Sequence, residues 1–121
     1  MIKLVYCITK RDDVSAEDFY HSWLEDHGTL VKSFAEAMGA VKYVQSHTIL
    51  PDVNARFIAS RGLEQPYDGI TEFWWNSVEE MKASGATPEG RAASKTLIED
   101  EARMIDFSRC RVFMTEEHEI F

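Results

Sequence analysis

Three side chains in this sequence are candidate proton carriers: His27, His47 and Glu72. His27 follows Phe19 and Trp23 at helical spacing, so its imidazole is expected to face inward, where burial tunes it as a general acid or base. The competing reading is a structural histidine at a helix end, favoured by the dipole and bonded to a carbonyl. His47 shares a strand face with Tyr43 and Gln45. If that face lines a cavity, all three point into it; otherwise they form a polar edge at a subunit seam. Glu72 lies in the middle of an apolar strand, where an ionised carboxylate is costly unless paired or bonded. It is read either as a base or proton donor, or as the ion partner of Arg56, Arg61 or Arg111. Trp23, Tyr43, Gln45 and Trp74 are the candidate substrate-binding residues. With Phe73 and Trp75, their aromatic members can wall a site for a planar compound, although filling a core or an interface is the commoner use of such residues.

Two histidines and a carboxylate are also the ligand set of a mononuclear iron centre. His27, His47 and Glu72 fall on three different elements with no ligand spacing, so no metal is expected. Glu116, Glu117, His118 and Glu119 read as a solvated charge run rather than a metal site. His21 lies off the apolar helix face and is given no role. There is no glycine-rich dinucleotide fingerprint and no P-loop, hence no expected cofactor. Cys7 and Cys110 are far apart, each inside an apolar run, and are expected to be free thiols.

The elements that position these residues are legible along the chain. Residues 2–9 form a β-branched and aromatic run that predicts a first strand. Ser15 is a helix N-cap with Asp18 in the capping-box position, and Val14 and Phe19 make a hydrophobic staple. The helical stripe runs through Ala16, Phe19, Tyr20, Trp23, Leu24 and His27, with Gly28 as a left-handed stop or kink, and continues through Leu30, Val31, Phe34 and Met38 to Gly39. Residues 41–50 predict a second strand stopped by Pro51. A short helix over 54–61 can occupy the connection that follows. Residues 70–75 predict a third strand. Ser77 with Glu80 opens the next helix, Ser84 and Gly85 break it, and Thr87 and Pro88 restart it to about Asp106. Residues 110–115 predict the last strand.

That order, strand, helix, strand, strand, helix, strand, predicts an α+β fold: a ferredoxin-like βαββαβ protomer, a four-stranded antiparallel sheet with helices on one face. The strands carry large apolar residues at both parities, as in Trp74 beside Trp75, whereas a sheet with one wet face alternates apolar with polar. The second face therefore needs a cover. Too little chain remains to supply it, so a homodimer through sheet-to-sheet packing is expected.

With 121 residues, the chain is expected to be one domain, 1–121. Thirteen Lys and Arg against 21 Asp and Glu leave a formal charge of −8, which repels phosphate backbones and anionic lipid. Nucleic acid is not expected as a partner. No apolar run approaches the roughly 20 residues of a membrane helix, and no signal-peptide layout opens the sequence, so no membrane association and a cytoplasmic location are expected.

Phe19, Trp23 and His27-Gly28, then residues 43–47 (YVQSH), then residues 67–74 (YDGITEFW) resemble, in order and spacing, the EthD-like family of dimeric α+β barrels. The chain departs from the family at Thr29, where a proline often follows His-Gly. The resemblance spans nearly the whole chain and implies a ferredoxin-like protomer, a homodimer and a pocket between sheet and helices. It also implies a role in small-molecule catabolism. The leading expectation is an enzyme without a bound cofactor that oxidises, dehydrates or decarboxylates an apolar or aromatic compound in the barrel cavity. His27 would be its acid or base, Glu72 or His47 the partner. A non-catalytic ligand-binding or accessory protein of a degradation pathway is the alternative, and a haem-handling protein on the same general fold is a third.

Overall fold

In a computed structural model of the chain, residues 1–121 are all described. The elements are β1 (Ile2–Ile8), α1 (Ala16–His21), a π-helical turn (Ser22–His27), α2 (Gly28–Ser33), α3 (Ala35–Met38), β2 (Lys42–His47), α4 (Pro51–Arg61), β3 (Gly69–Trp75), α5 (Val78–Ala86), α6 (Pro88–Glu101), a 3-10 turn (Phe107–Arg109) and β4 (Arg111–Glu116). The four strands form one antiparallel sheet in the order β2-β3-β1-β4. This is the ferredoxin-like arrangement.

The caps act as the local chemistry requires. Ser15 accepts from the Asp18 N–H, Ser77 from Glu80 and Thr87 from Gly90, so the starts of α1, α5 and α6 each have one orphan donor satisfied. Four expectations need correction. Gly28 does not end the first helix, because its backbone is helical; the left-handed stop falls at Gly39, φ 65°. β2 ends at His47, and Pro51 opens α4 at a first-turn position where its missing N–H costs nothing. Ser84 and Gly85 stay within α5, and the break comes at Thr87. Leu24, placed on the apolar stripe, is 55% exposed.

The register separates the two sheet faces. Ile2, Leu4, Tyr6 and Ile8 pair with Trp75, Phe73, Thr71 and Gly69, and Tyr43, Gln45 and His47 pair with Phe73, Thr71 and Gly69. Because strand side chains alternate, all of these share one face. Both hydrophobic clusters of the protein lie between that face and the helices. One is built on Ile8, Phe19, Trp23, Met104 and Ile105, the other on Val31, Phe73, Trp75 and Leu97. The opposite parity, Val5, Cys7, Val44, Ile70, Trp74 and Phe113, contributes to neither.

Candidate functional site

His27 is placed by an irregularity in its helix. Phe19, Trp23, His27 and Val31 are all buried, at steps of four residues. In a regular α-helix four residues overshoot a full turn by about 40°, so this stripe would drift around the helix. The wider π turn at Ser22–His27 offsets the drift: the Gly28 N–H donates to Trp23 O, an i to i+5 bond, and the stripe stays on the core. Gln45 reinforces the turn by donating from Nε2 to the same Trp23 carbonyl at 2.7 Å.

His27 is 6% exposed. Its Nδ1–H donates to Asp100 Oδ2 at 2.7 Å, and the second oxygen of Asp100 accepts from Arg103 Nε and Nη2 at 2.9 and 2.6 Å. Burial opposes ionisation of Asp100, yet the bonds from His27 and Arg103 outweigh it and hold the carboxyl below the usual range. With Nδ1 committed to Asp100, Nε2 is the nitrogen left to exchange a proton. His27 lines a small void of about 30 Å³ whose wall also includes Tyr6, Thr71 and Glu101.

That void shares Tyr6, Phe73, Leu97 and Glu101 with a much larger cavity of about 440 Å³ between the sheet and α6. The large cavity is lined mainly by apolar residues, including the inner Leu4, Met38 and Trp75 and the exposed Ile98, Phe107 and Val112. Glu101 and Tyr6 are its only titratable lining groups. Burial pushes the Glu101 carboxyl up to about 7; the neighbouring Tyr6 hydroxyl lowers it, and the Asp100 charge raises it. Burial and the same carboxylate raise the Tyr6 phenol well above its ordinary value. A depression of about 370 Å³ beside α4 contains no titratable side chain and offers no comparable chemistry.

The other sequence candidates fall elsewhere. His47 stacks on Trp23 at 4.5 Å and Tyr20 at 5.1 Å between ring centroids, and Nε2 donates to Gln45 Oε1 at 2.9 Å. Burial pushes its pKa down. Gln45 Nε2 also donates to the Tyr43 hydroxyl at 2.7 Å, and neither Tyr43 nor Gln45 lines the 440 Å³ cavity. Trp23 touches the inner void only.

Glu72 and Trp74 lie on the opposite face of the sheet from His27, because their parity on β3 is that of Ile70. The ion partner of Glu72 is Lys3 at 2.9 Å, not Arg56, Arg61 or Arg111. Trp74 is flanked by Lys3 and Lys42, whose ammonium groups lie 5.4 and 4.8 Å from its ring centroid. Hence His27, His47 and Glu72 do not converge, and no group of three His, Cys, Asp or Glu side chains is arranged to hold a metal ion.

Tyr6, Asp100 and Glu101 were not anticipated from sequence. The 99–101 run Glu-Asp-Glu looks like a solvated helix face. The signal was in the spacing: Glu101 follows Ala93 and Leu97 at steps of four, which puts a carboxylate on the apolar stripe of α6.

Solved structures share this architecture. An ethyl tert-butyl ether D family protein of Bacillus halodurans superposes with a TM-score of 0.62 at 17% identity, over 98% of this chain and 99% of that one. An EthD-like protein of Ralstonia eutropha gives 0.63 at 13% identity, over 95% and 89%. A dimeric ferredoxin-like protein of unknown function from Thermobifida fusca gives 0.58 at 14%, over 94% and 88%. At these identities the likeness is one of fold. A search of curated protein sequences gives no match. The EthD domain family model matches residues 11–108, a span that contains the π turn, β2, β3 and α6, and the chain belongs to the EthD family.

Proposed function

We propose that this chain is an enzyme of small-molecule breakdown that moves protons to and from an apolar or aromatic compound bearing a carbonyl or hydroxyl group. The observation that carries the reading is the buried His27–Asp100 pair, 2.7 Å apart, set behind a 440 Å³ apolar cavity whose only titratable walls are Glu101 and Tyr6. An oriented imidazole with one free nitrogen is a proton carrier. A cavity of this size and lining suits a ligand of a few rings. Dehydration and decarboxylation need only such proton transfers. The EthD and ethyl tert-butyl ether D descriptions of its relatives favour a degradative role.

The working unit in this reading is a homodimer. The uncovered face with Val5, Val44, Ile70 and Phe113 supports it, as does the dimeric state of the Thermobifida fusca relative. Trp74 and the Lys3–Glu72 pair then belong to the subunit contact and not to the cavity.

Native mass spectrometry of the protein purified from its host tests this first. The expected species is a dimer of the 13.9 kDa chain with a retained apolar compound. His27→Ala should then abolish turnover of that compound while leaving its affinity within a few-fold. A compound that is bound but never turned over by the wild type supports the ligand-binding alternative instead.

A further inference from the structure

Two cavities that share a wall raise the question of what passes through it. His27 does not line the large cavity, and Glu101 lines both. The inner void, about 30 Å³, exceeds the roughly 10–15 Å³ that one water needs. Its polar walls are His27, Thr71, Tyr6 and Glu101, enough partners to hold a single water against the apolar remainder.

Glu101 has no cation beside it. The titratable groups facing it are Tyr6 from β1, Tyr43 from β2, His27 from the π turn, Cys110 ahead of β4, and Asp100 on its own helix. No lysine or arginine lines either cavity. A carboxyl so placed, half-buried and without a cation, keeps its proton more readily than one paired with a lysine or arginine.

We propose that Glu101, with Tyr6, is the acid–base group that meets the molecule in the large cavity, and that one water in the inner void joins it to His27 Nε2. The His27–Asp100 pair is then a proton reserve, a positioning and relay device that never touches the substrate. This deepens the proton-transfer reading above and rests on it for its biological purpose. In the acid direction, Glu101 gives its proton to the ligand oxygen and becomes a carboxylate, held by the Tyr6 hydroxyl. The water passes a proton to that carboxylate and takes one from Nε2 of the imidazolium. Neutral His27, still bonded through Nδ1–H, regains its proton from solvent. In the base direction every transfer reverses.

The test needs no substrate. The full chain, isotope-labelled at glutamate carboxyls and histidine ring nitrogens, is titrated by NMR from about pH 5 to about pH 9. The Glu101 carboxyl signal is expected to move near neutral pH, with a matching inflection at His27 Nε2. Glu101→Gln should erase that inflection and leave the Nδ1–H resonance of the Asp100 bond in place. Tyr6→Phe, which removes the hydroxyl that favours the carboxylate, should carry both inflections to higher pH; it also serves should the first variant not fold. A His27 Nε2 profile unchanged by both substitutions, or a Glu101 carboxyl titrating in the ordinary range, overturns the relay. Neither readout involves turnover, so a coupled pair in a protein that converts nothing sinks the enzyme reading alone.

Discussion

Asp100 Oδ2 lies 2.7 Å from Nδ1 of His27, while the other oxygen of the same carboxylate takes two bonds from Arg103. One helical residue of α6 thereby fixes the tautomer of a histidine 73 positions away in sequence. Asp100→Asn keeps the shape but gives up the charge. In the proposed enzyme it should lower kcat by on the order of 10²-fold or more with ligand affinity little changed, as when the orienting carboxylate of a catalytic histidine is neutralised. Steady-state kinetics beside a ligand titration separates the two effects.

The same carboxylate predicts an acid limb of stability. Its folded pKa is depressed below the usual 3.8, so the stabilisation is present above that value and is lost as pH falls through the lower folded one. Denaturation midpoints of the wild type should drop on acidification below about pH 4. Asp100→Asn should be less stable at neutral pH, by about 1–3 kcal/mol, and should lack that component of the acid limb.

Glu101 acts with the opposite sign. Its carboxyl is raised from 4.5 to about 7, so the folded state holds a proton that the unfolded state releases. Stability is full below the unfolded value and declines as pH rises through about 7, by a total on the order of 3 kcal/mol. Glu101→Gln should flatten this limb and be the more stable protein at mildly alkaline pH, read from urea midpoints on either side of neutrality.

Gly69 is where β3 passes beneath the Trp23 ring. A Cβ there would lie 2.5 Å from Trp23 ring carbons and 2.6 Å from the Ser46 carbonyl oxygen. Gly69→Ala should cost about 1–3 kcal/mol or more, because neither a buried indole nor a paired backbone can retreat. Gly85→Ala is the control. It lies inside α5 with nothing within 4 Å, so it should stabilise by about 0.5–1 kcal/mol.

Glu72→Gln should leave ligand affinity and turnover unchanged, since the sheet stands between it and the cavity. It leaves Lys3 with only Glu117, at 3.8 Å, as an ion partner, and dissociation of the proposed dimer, measured by sedimentation, should become easier, about tenfold in Kd.

Much of this molecule is determined by local chemistry, which a sequence carries directly. Ser15, Ser77 and Thr87 cap helices because their oxygens reach N–H groups three residues on. The division of each strand into two faces, with apolar residues on both sides of β3, follows from alternation. His27 is legible as inward-facing because Phe19 and Trp23 precede it at steps of four. What tertiary structure decided is the other half of each pair. The stripe Ala93, Leu97, Glu101 sets Glu101 apart from Glu99, but nothing local says that Glu101 meets Tyr6 and His27, or that the Glu72 cation is Lys3 rather than an arginine, because these depend on which strands become neighbours. The face on which Trp74 falls depends on register, where one residue reverses every side chain. The joining of His27, Asp100, Glu101 and Tyr6 around one void depends on α6 packing across the π turn, a contact between segments some 70 residues apart that only the folded sheet brings together.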